Sequence, residues 1–317
     1  MAKKKVLFFG DFGVDDVLAL MYAHFSEEIE VVGIVAEYGN ISKKDAIENA
    51  AYLQQLVGTD IPIIGGAEVP LTGIKPKFFP EIHGEKGLGP IVPVVEIGRP
   101  FENFFEINRI IEKHQKELVI VSVGRLSALA TTFILYPSTI ELLKEIYIMG
   151  GAFLAPGNVT PVAEANFYSD PYAVNIVFQA SPVPLYIVPL DVTEYAILTP
   201  ELTDKIQQVY NDRNHEFGKI FKPMVDYYYQ FYSSQVKGIK GCPLHDVLAL
   251  WALCHPNDVH FIDVPIHIIV SQGRAFGQSV GDFRGLKEKA EDPVHYVAMS
   301  FQYEKFIDDF YQVMTNI

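Results

Sequence analysis

The stretch "VLFFGDFGVDDVLAL", residues 6–20, decides the fold. "VLFFG" (6–10) is a short apolar run that reads as a strand, and "DDVLALMYAHF" (15–25) carries apolar residues at helical spacing. Asp11, Asp15 and Asp16 stand between strand and helix, where Gly13 permits a tight turn. The same alternation continues outward. "EVVGIVA" (30–36) is a second strand, and 42–58 is a helix with Ser42 as N-cap and Gly58 as its stop. Strands follow at 62–66, 117–124, 145–151 and 183–190, with helical segments between the later ones. Continuous apolar strands separated by helices predict an α/β fold: an open, mostly parallel sheet with helices on both faces. Residues 199–254 read as mostly helical. A late strand pair, "HFIDVP" (260–265) and "IHIIVSQ" (266–272), precedes a C-terminal helix near 303–314. No linker or internal repeat divides the chain, so residues 1–317 are expected to form one domain. The Pro- and Gly-rich stretch 67–98 is expected to be a long loop bordering the site.

Composition narrows the function. The chain is 317 residues long and 49% hydrophobic, ample for a large core. The 39 acidic residues outnumber the 25 basic ones, for a net charge of −14. Such a surface repels phosphate backbones, which argues against nucleic-acid or anionic-membrane binding and leaves neutral substrates and cations. Cys242 and Cys254 are too few for a disulfide framework, and reduced thiols in a cytoplasmic protein are the simple reading. No apolar run approaches the roughly 20 residues that span a bilayer.

Helix capping accounts for one aspartate at a helix N-terminus. It does not account for three, because close like charges repel. A bound hard cation removes the conflict, and oxygen-only ligands point to calcium or magnesium. Other motifs fail. "DFG" has only ten residues upstream, too few for the rest of a kinase site, and "GDFGVDD" is not a GxGxxG fingerprint.

Three later segments end or follow strands: "EYGN" (37–40) with Asn40, "GNVTPVAEANFYSDP" (157–171) with Asn158, Glu164 and Asn166, and "PLHDVLALWAL" (243–253) with His245 and Asp246. Ligands of open α/β sheets bind beyond the carboxyl ends of strands, so these segments can converge with the aspartates. Singly, Asn40 is a good turn residue, Glu164 a surface ion-pair partner, His245 a core histidine and Asp246 an N-cap. Jointly, grouped carboxylates and amides suit a polyhydroxylated ligand, whose hydroxyls need both donors and acceptors.

With these segments in view, the sequence resembles the inosine-uridine nucleoside N-ribohydrolase family. The family's opening DxDPGxDD stands here as "FGDFGVDD", its strand-end Gly-Asn as Gly39-Asn40, its "MGG…GN…P.AE.N…DP" block as Met149 to Pro171, and its "HD.LA" as His245 to Ala249. Phe9 replaces an aspartate usual in the family and Phe12 a proline, which puts metal affinity in question. The resemblance implies a calcium ion held by Asp11, Asp16, Asp246 and the Val123 carbonyl. It places Asp15 and Asn166 on the ribose hydroxyls with Asn40 nearby, and Asn158 and Glu164 on the 5′-hydroxyl. The implied reaction is hydrolysis of a ribonucleoside's N-glycosidic bond, with Asp11 as general base and His245 protonating the leaving base. Tyr228 and Tyr232, four apart on a helix, are candidates to flank the base, as is His83 in "HGEKGLG". Trp251 reads as core. Family members form dimers and tetramers, so a homo-dimer or homo-tetramer is expected. The competing readings are a non-catalytic nucleoside- or ribose-binding protein that uses the same calcium pocket, and a metal-dependent phosphohydrolase. The latter would want Lys or Arg beside the aspartates, and only Arg125 is close in sequence to any site segment.

Overall fold

The computed structural model describes residues 2–95, 97, 101–285 and 292–317. Its main sheet has nine strands. In chain order these are β1 (Lys4–Gly10), β2 (Ile29–Ala36), β3 (Ile63–Gly65), β4 (Leu118–Ser122), β5 (Glu145–Met149) and β6 (Leu185–Val188). The two-residue strands β7 (Ile197–Leu198) and β8 (Cys242–Pro243) form a separate antiparallel pair. The main sheet is completed by β9 (Val259–Ile268), β10 (Ser279–Gly281) and β11 (Val294–Phe301). Their order across the sheet is β10-β9-β11-β6-β5-β4-β1-β2-β3. From β3 to β11 every neighbouring pair is parallel, and β9 and β10 add an antiparallel edge.

The chain winds outward from β1 to β3, then returns to lay β4 on the other side of β1. The carboxyl ends of β1 and β4 therefore diverge at a switch point, where an open α/β sheet has its natural crevice. Register sets what meets there. Gly10 pairs with Ala36, Phe9 with Ser122, and Ser122 with Ile148. Asp11, Glu37, Gly124 and Gly150 thus leave the sheet at one level, with Val123 and Met149 one residue before them.

Alternation along β1 explains the two apolar layers. Val6 and Phe8 face a core shared with α1 (Val14–Phe25) and the helices His245–Cys254 and Tyr303–Thr315. Leu7 and Phe9 face the other layer, with Ile120, Ile146 and the helices Glu106–His114, Ser127–Leu135 and Pro171–Ala180. Phe9 therefore fills apolar core. Trp251 is fully buried in the first layer, as read.

α2 (Lys43–Val57) is capped as its sequence indicates: the Ser42 hydroxyl accepts from the Asp45 amide, and Gly58 adopts a left-handed conformation. Two expectations fail at the far edge. The predicted strand pair 260–272 is one ten-residue strand, β9, ending at Ile268. Its partner β11 lies at 294–301, which the sequence reading did not assign to a strand. Pro265 pairs with Val294 within β9, which lies between β11 and the edge strand β10, so the proline reads as a break without making one.

Candidate active site

α1 and the helix His245–Cys254 pack side by side, and both begin at the crevice. Their first turns bring Asp15, Asp16, His245 and Asp246 together. Asp16 does the capping: its carboxylate accepts from the backbone N–H of Asp11 (2.9 Å) and Gly13 (2.9 Å). Between them Phe12 takes φ of +49°, a left-handed conformation that costs a non-glycine residue roughly 1–2 kcal/mol. Proline, with φ fixed near −65°, cannot adopt it, so the turn departs from one built on the family's proline.

Oxygens of Asp15, Asp16 and Asp246 lie within 4.8 Å of one another, all three residues buried. Asp11 falls outside that group. Its carboxylate turns toward the loops after β2 and β4, accepting from the Asn40 amide N–H (2.6 Å), Asn40 Nδ2 (3.1 Å) and Arg125 Nη1 (2.8 Å). Gly39 makes this approach possible, since a Cβ there would sit 1.8 Å from Asp11 Oδ2. Burial and mutual repulsion raise the carboxylates. Asp15 moves from 3.8 to about 7, and Asp16 and Asp246 go well above their ordinary value, burial being the largest cause and neighbouring aspartates the next. Asp15 Oδ1 is buried without a hydrogen-bond partner. Three crowded carboxylates, one with an orphaned oxygen, form an all-oxygen donor set that fits a hard divalent cation such as calcium.

Above this floor lies a cleft of about 710 Å³, lined by Asp15, Asn40, His83, Val123, Arg125, Asn158, Glu164, Asn166, Tyr228, Tyr232, His245 and Asp246 among others. Asp11 and Asp16 lie beneath its surface. Glu164 caps the short helix Ala165–Ser169, accepting from the amides of Asn166 (2.7 Å), Phe167 (3.1 Å) and Gly151 (2.9 Å). Burial raises its pKa, and those three amides oppose the rise. Asn158 stands exposed at the rim, its Oδ1 accepting from the Ala165 amide. Asn166 donates Nδ2 to the Val123 carbonyl (2.7 Å).

The opposite wall comes from distant sequence. His83 ends a one-turn helix, Pro80–His83, inside the predicted long loop. Its Nδ1 accepts from the Val14 amide (3.1 Å) and lies 3.7 Å from Asp15 Oδ1, and its ring packs on Tyr228. From the helix Phe221–Gln235, the Tyr228 hydroxyl donates to Asp15 Oδ2 (3.3 Å) and lies 3.4 Å from the Tyr232 hydroxyl. The Tyr232 hydroxyl lies 3.0 Å from His245 Nε2, and His245 Nδ1 lies 2.8 Å from Thr193 Oγ1. A hydrogen-bonded chain thus runs Asp15–Tyr228–Tyr232–His245–Thr193. Desolvation lowers His83 to about 3 and His245 to about 4, so both rings are neutral at pH 7.

All the residues singled out in the sequence, from Asp11 to Asp246, thus lie in or directly beneath one cleft. Residues 6–308 match the family described as inosine-uridine preferring nucleoside hydrolase. The chain belongs to that family. It is 31% identical over 308 residues to the inosine-uridine preferring nucleoside hydrolase of Crithidia fasciculata, covering 96% of this chain and 95% of that one. It is 29% identical over 293 residues to the pyrimidine-specific ribonucleoside hydrolase RihB of Shigella flexneri, covering 91% and 90%. Among solved structures, the purine-preferring ribonucleoside hydrolase from Gardnerella vaginalis matches with a TM-score of 0.88 at 29% identity, covering 98% of each chain. As a member of the family the chain is a nucleoside N-ribohydrolase, cleaving the N-glycosidic bond of ribonucleosides.

Two nucleoside hydrolase site features were missed from sequence. Thr193, the partner of His245, carries no signal in its own segment. Arg125, which its position in the sequence only brings near a site segment, is buried in the cleft floor (2% exposed). Its place two residues past Val123, at the end of β4, was the clue available.

Proposed function

We propose that this nucleoside hydrolase works with Asp11 as general base, His245 as the source of the proton on the leaving base, and the remaining polar groups as the ribose cradle. The observation that carries this reading is the hydrogen-bonded chain from Asp15 to His245 across a cleft floored by carboxylates. The bond between C1′ and the base nitrogen breaks while a water oxygen bonds to C1′. Asp11 takes the water's proton and the base departs protonated. Positive charge develops on the ribose and faces the carboxylates of Asp15 and Glu164, which stabilise it in a site shielded from bulk water. Calcium, which the resemblance assigns to Asp11, Asp16, Asp246 and the Val123 carbonyl and for which the carboxylates clustered here are those of Asp15, Asp16 and Asp246, would supply Lewis-acid lowering of a water's pKa. His245 is neutral in the free chain. It yields a ring proton to the base only in step with uptake of another from Tyr232, so that no imidazolate is left, and the Tyr228–Asp15 end of the chain, with Asp15 raised to about 7, supplies the replacement and ends as carboxylate.

Asp15 and Asn166 would hold the ribose hydroxyls, and Asn158 and Glu164 the 5′-hydroxyl. His83, Tyr228 and Tyr232 would face the base. Cys242 and Cys254 are free thiols, which supports a reducing, cytoplasmic setting for an enzyme assembling as a homo-dimer or homo-tetramer. The test is a panel of purine and pyrimidine ribonucleosides assayed for free ribose in calcium-containing buffer. Release from at least one is expected. Tight nucleoside binding without release across the panel would instead establish a binding protein on the same pocket.

A further inference from the structure

Among the described residues, Arg125 is the one buried cation, and it stands between the two groups assigned to base catalysis and to the ribose. Its Nη1 lies 2.8 Å from Asp11 Oδ2 and donates to Asn166 Oδ1 at 2.5 Å, while Nη2 reaches Asn40 Oδ1 at 3.5 Å. A guanidinium is a planar fork whose N–H directions are fixed, so one side chain holds several acceptors in a set relation. The Asn166 amide is committed at both ends. Nδ2 donates to the carbonyls of Val123 (2.7 Å) and Met149 (3.2 Å), and Oδ1 accepts from Arg125. What the amide has left for a ligand is the second lone pair of Oδ1, which can accept from a hydroxyl. Asp11 is likewise fixed by Asn40 on one side and Arg125 on the other.

A free positive charge here would oppose an oxocarbenium-like state. Pairing with Asp11 neutralises it locally, so the guanidinium can stand in the cleft floor beside the ribose without that opposition. Phe9 faces the apolar layer, so the side-chain support for Asp11 comes from Asn40 and from the loop after β4.

We propose that Arg125 is a positioning residue: its guanidinium fixes Asp11 for the attacking water and presents the Asn166 carbonyl oxygen to a ribose hydroxyl. This rests on the reaction assigned above. The test uses the full chain with Arg125→Ala and Arg125→Lys, each checked for folding by thermal melting. Kinetics are measured on a ribonucleoside that the wild type cleaves, with and without added guanidinium, and D-ribose is titrated calorimetrically. Arg125→Ala is expected to lower kcat by about 10–100-fold, the usual worth of a group that orients a catalytic one. Guanidinium should restore part of the loss, Arg125→Lys should fall between because it lacks the fork, and ribose should bind Arg125→Ala more weakly. A folded Arg125→Ala chain with kcat within about twofold of wild type overturns the proposal, as does a loss that guanidinium leaves untouched. Absence of turnover in the wild type itself would remove the reaction assignment instead. Ribose affinity unchanged by Arg125→Ala would then remove the positioning role as well, while weakened affinity would retain it for the sugar.

Discussion

The floor and the far wall of the cleft are built in opposite ways. The floor is made where strands end and helices begin. Asp11 follows β1, Val123 and Arg125 follow β4, and Asp15, Asp16 and Asp246 open two helices that pack side by side. Its groups are carboxylates crowded together, raised by burial and mutual repulsion. The wall is borrowed from residues 80–83 and 221–235 and completed by His245, and its groups are neutral rings and hydroxyls, of which Tyr228, Tyr232 and His245 form one hydrogen-bonded chain. Charge is concentrated where the ribose would become positive, and neutral, proton-passing groups stand where the base would leave. The floor is therefore expected to control whether any bond breaks, and the wall to control which leaving group needs help.

The largest effect should come from the floor. Asp11→Ala removes the proposed base and an implied metal ligand at once, so turnover should drop by about 10⁴-fold or more. Folding is checked by circular dichroism, since the change also leaves Arg125 buried without its carboxylate. Turnover within about tenfold of wild type would move the base elsewhere on the floor, with Asp15 first in line.

The wall should show selectivity instead. His245→Ala should slow hydrolysis of inosine or uridine by about 10²–10⁴-fold, the worth of general acid catalysis. Hydrolysis of nitrophenyl riboside, whose leaving group departs as an anion, should be nearly unaffected. Equal losses on both substrates would place His245 among ribose-holding or structural groups. A third comparison returns to the floor: a 2′-deoxyribonucleoside should lose about 10–100-fold in kcat/KM against its ribonucleoside. The reason is that each buried partner left unpaired costs about 1–3 kcal/mol. Equal rates would break the assignment of Asp15 and Asn166 to the diol.

The same contrast explains what the sequence could reveal. The floor was legible because its residues sit at short, fixed offsets from strand ends, as in "GDFGVDD" and "PLHD", and because three aspartates exceed what one cap can use. Membership of the floor was clear for all but Arg125, and its geometry was not. That Asp11 turns away from the other three carboxylates depends on Gly39, Asn40 and Arg125, which β-sheet register brings to one level across more than a hundred residues. The wall was legible only as residue types. A tyrosine pair four apart looks the same in a core, and only the packing of the helix Phe221–Gln235 against the loop of His83 turns it toward Asp15. The far edge of the sheet was misread because β9 pairs with a strand more than 25 residues away, and local pattern carries no sign of that partner.

The smallest expected effect is on stability, and its sign separates the two regions. Asp15 is raised from 3.8 to about 7, with Asp16 and Asp246 raised alongside it, so in the metal-free chain the folded state binds more protons than the unfolded one. For Asp15 that contribution is fully present below about pH 4 and is lost as pH rises through about 7, and Asp16 and Asp246 act in the same direction. His83 and His245 are lowered from 6.5 to about 3 and about 4, so their contribution runs the other way. It is present above about pH 6.5 and is lost as pH falls toward 3. Bound calcium would pair the carboxylates in their ionised form and leave the histidine contribution common to both states. The difference in Tm between calcium-loaded and chelator-treated protein should therefore be small near pH 4 and grow toward pH 7.5, at roughly 1.5 °C per kcal/mol for a chain of this length. Melting both forms across that range measures it. A difference that is flat with pH would mean that the floor carboxylates do not change protonation when the metal leaves, and would break the contrast at its electrostatic root.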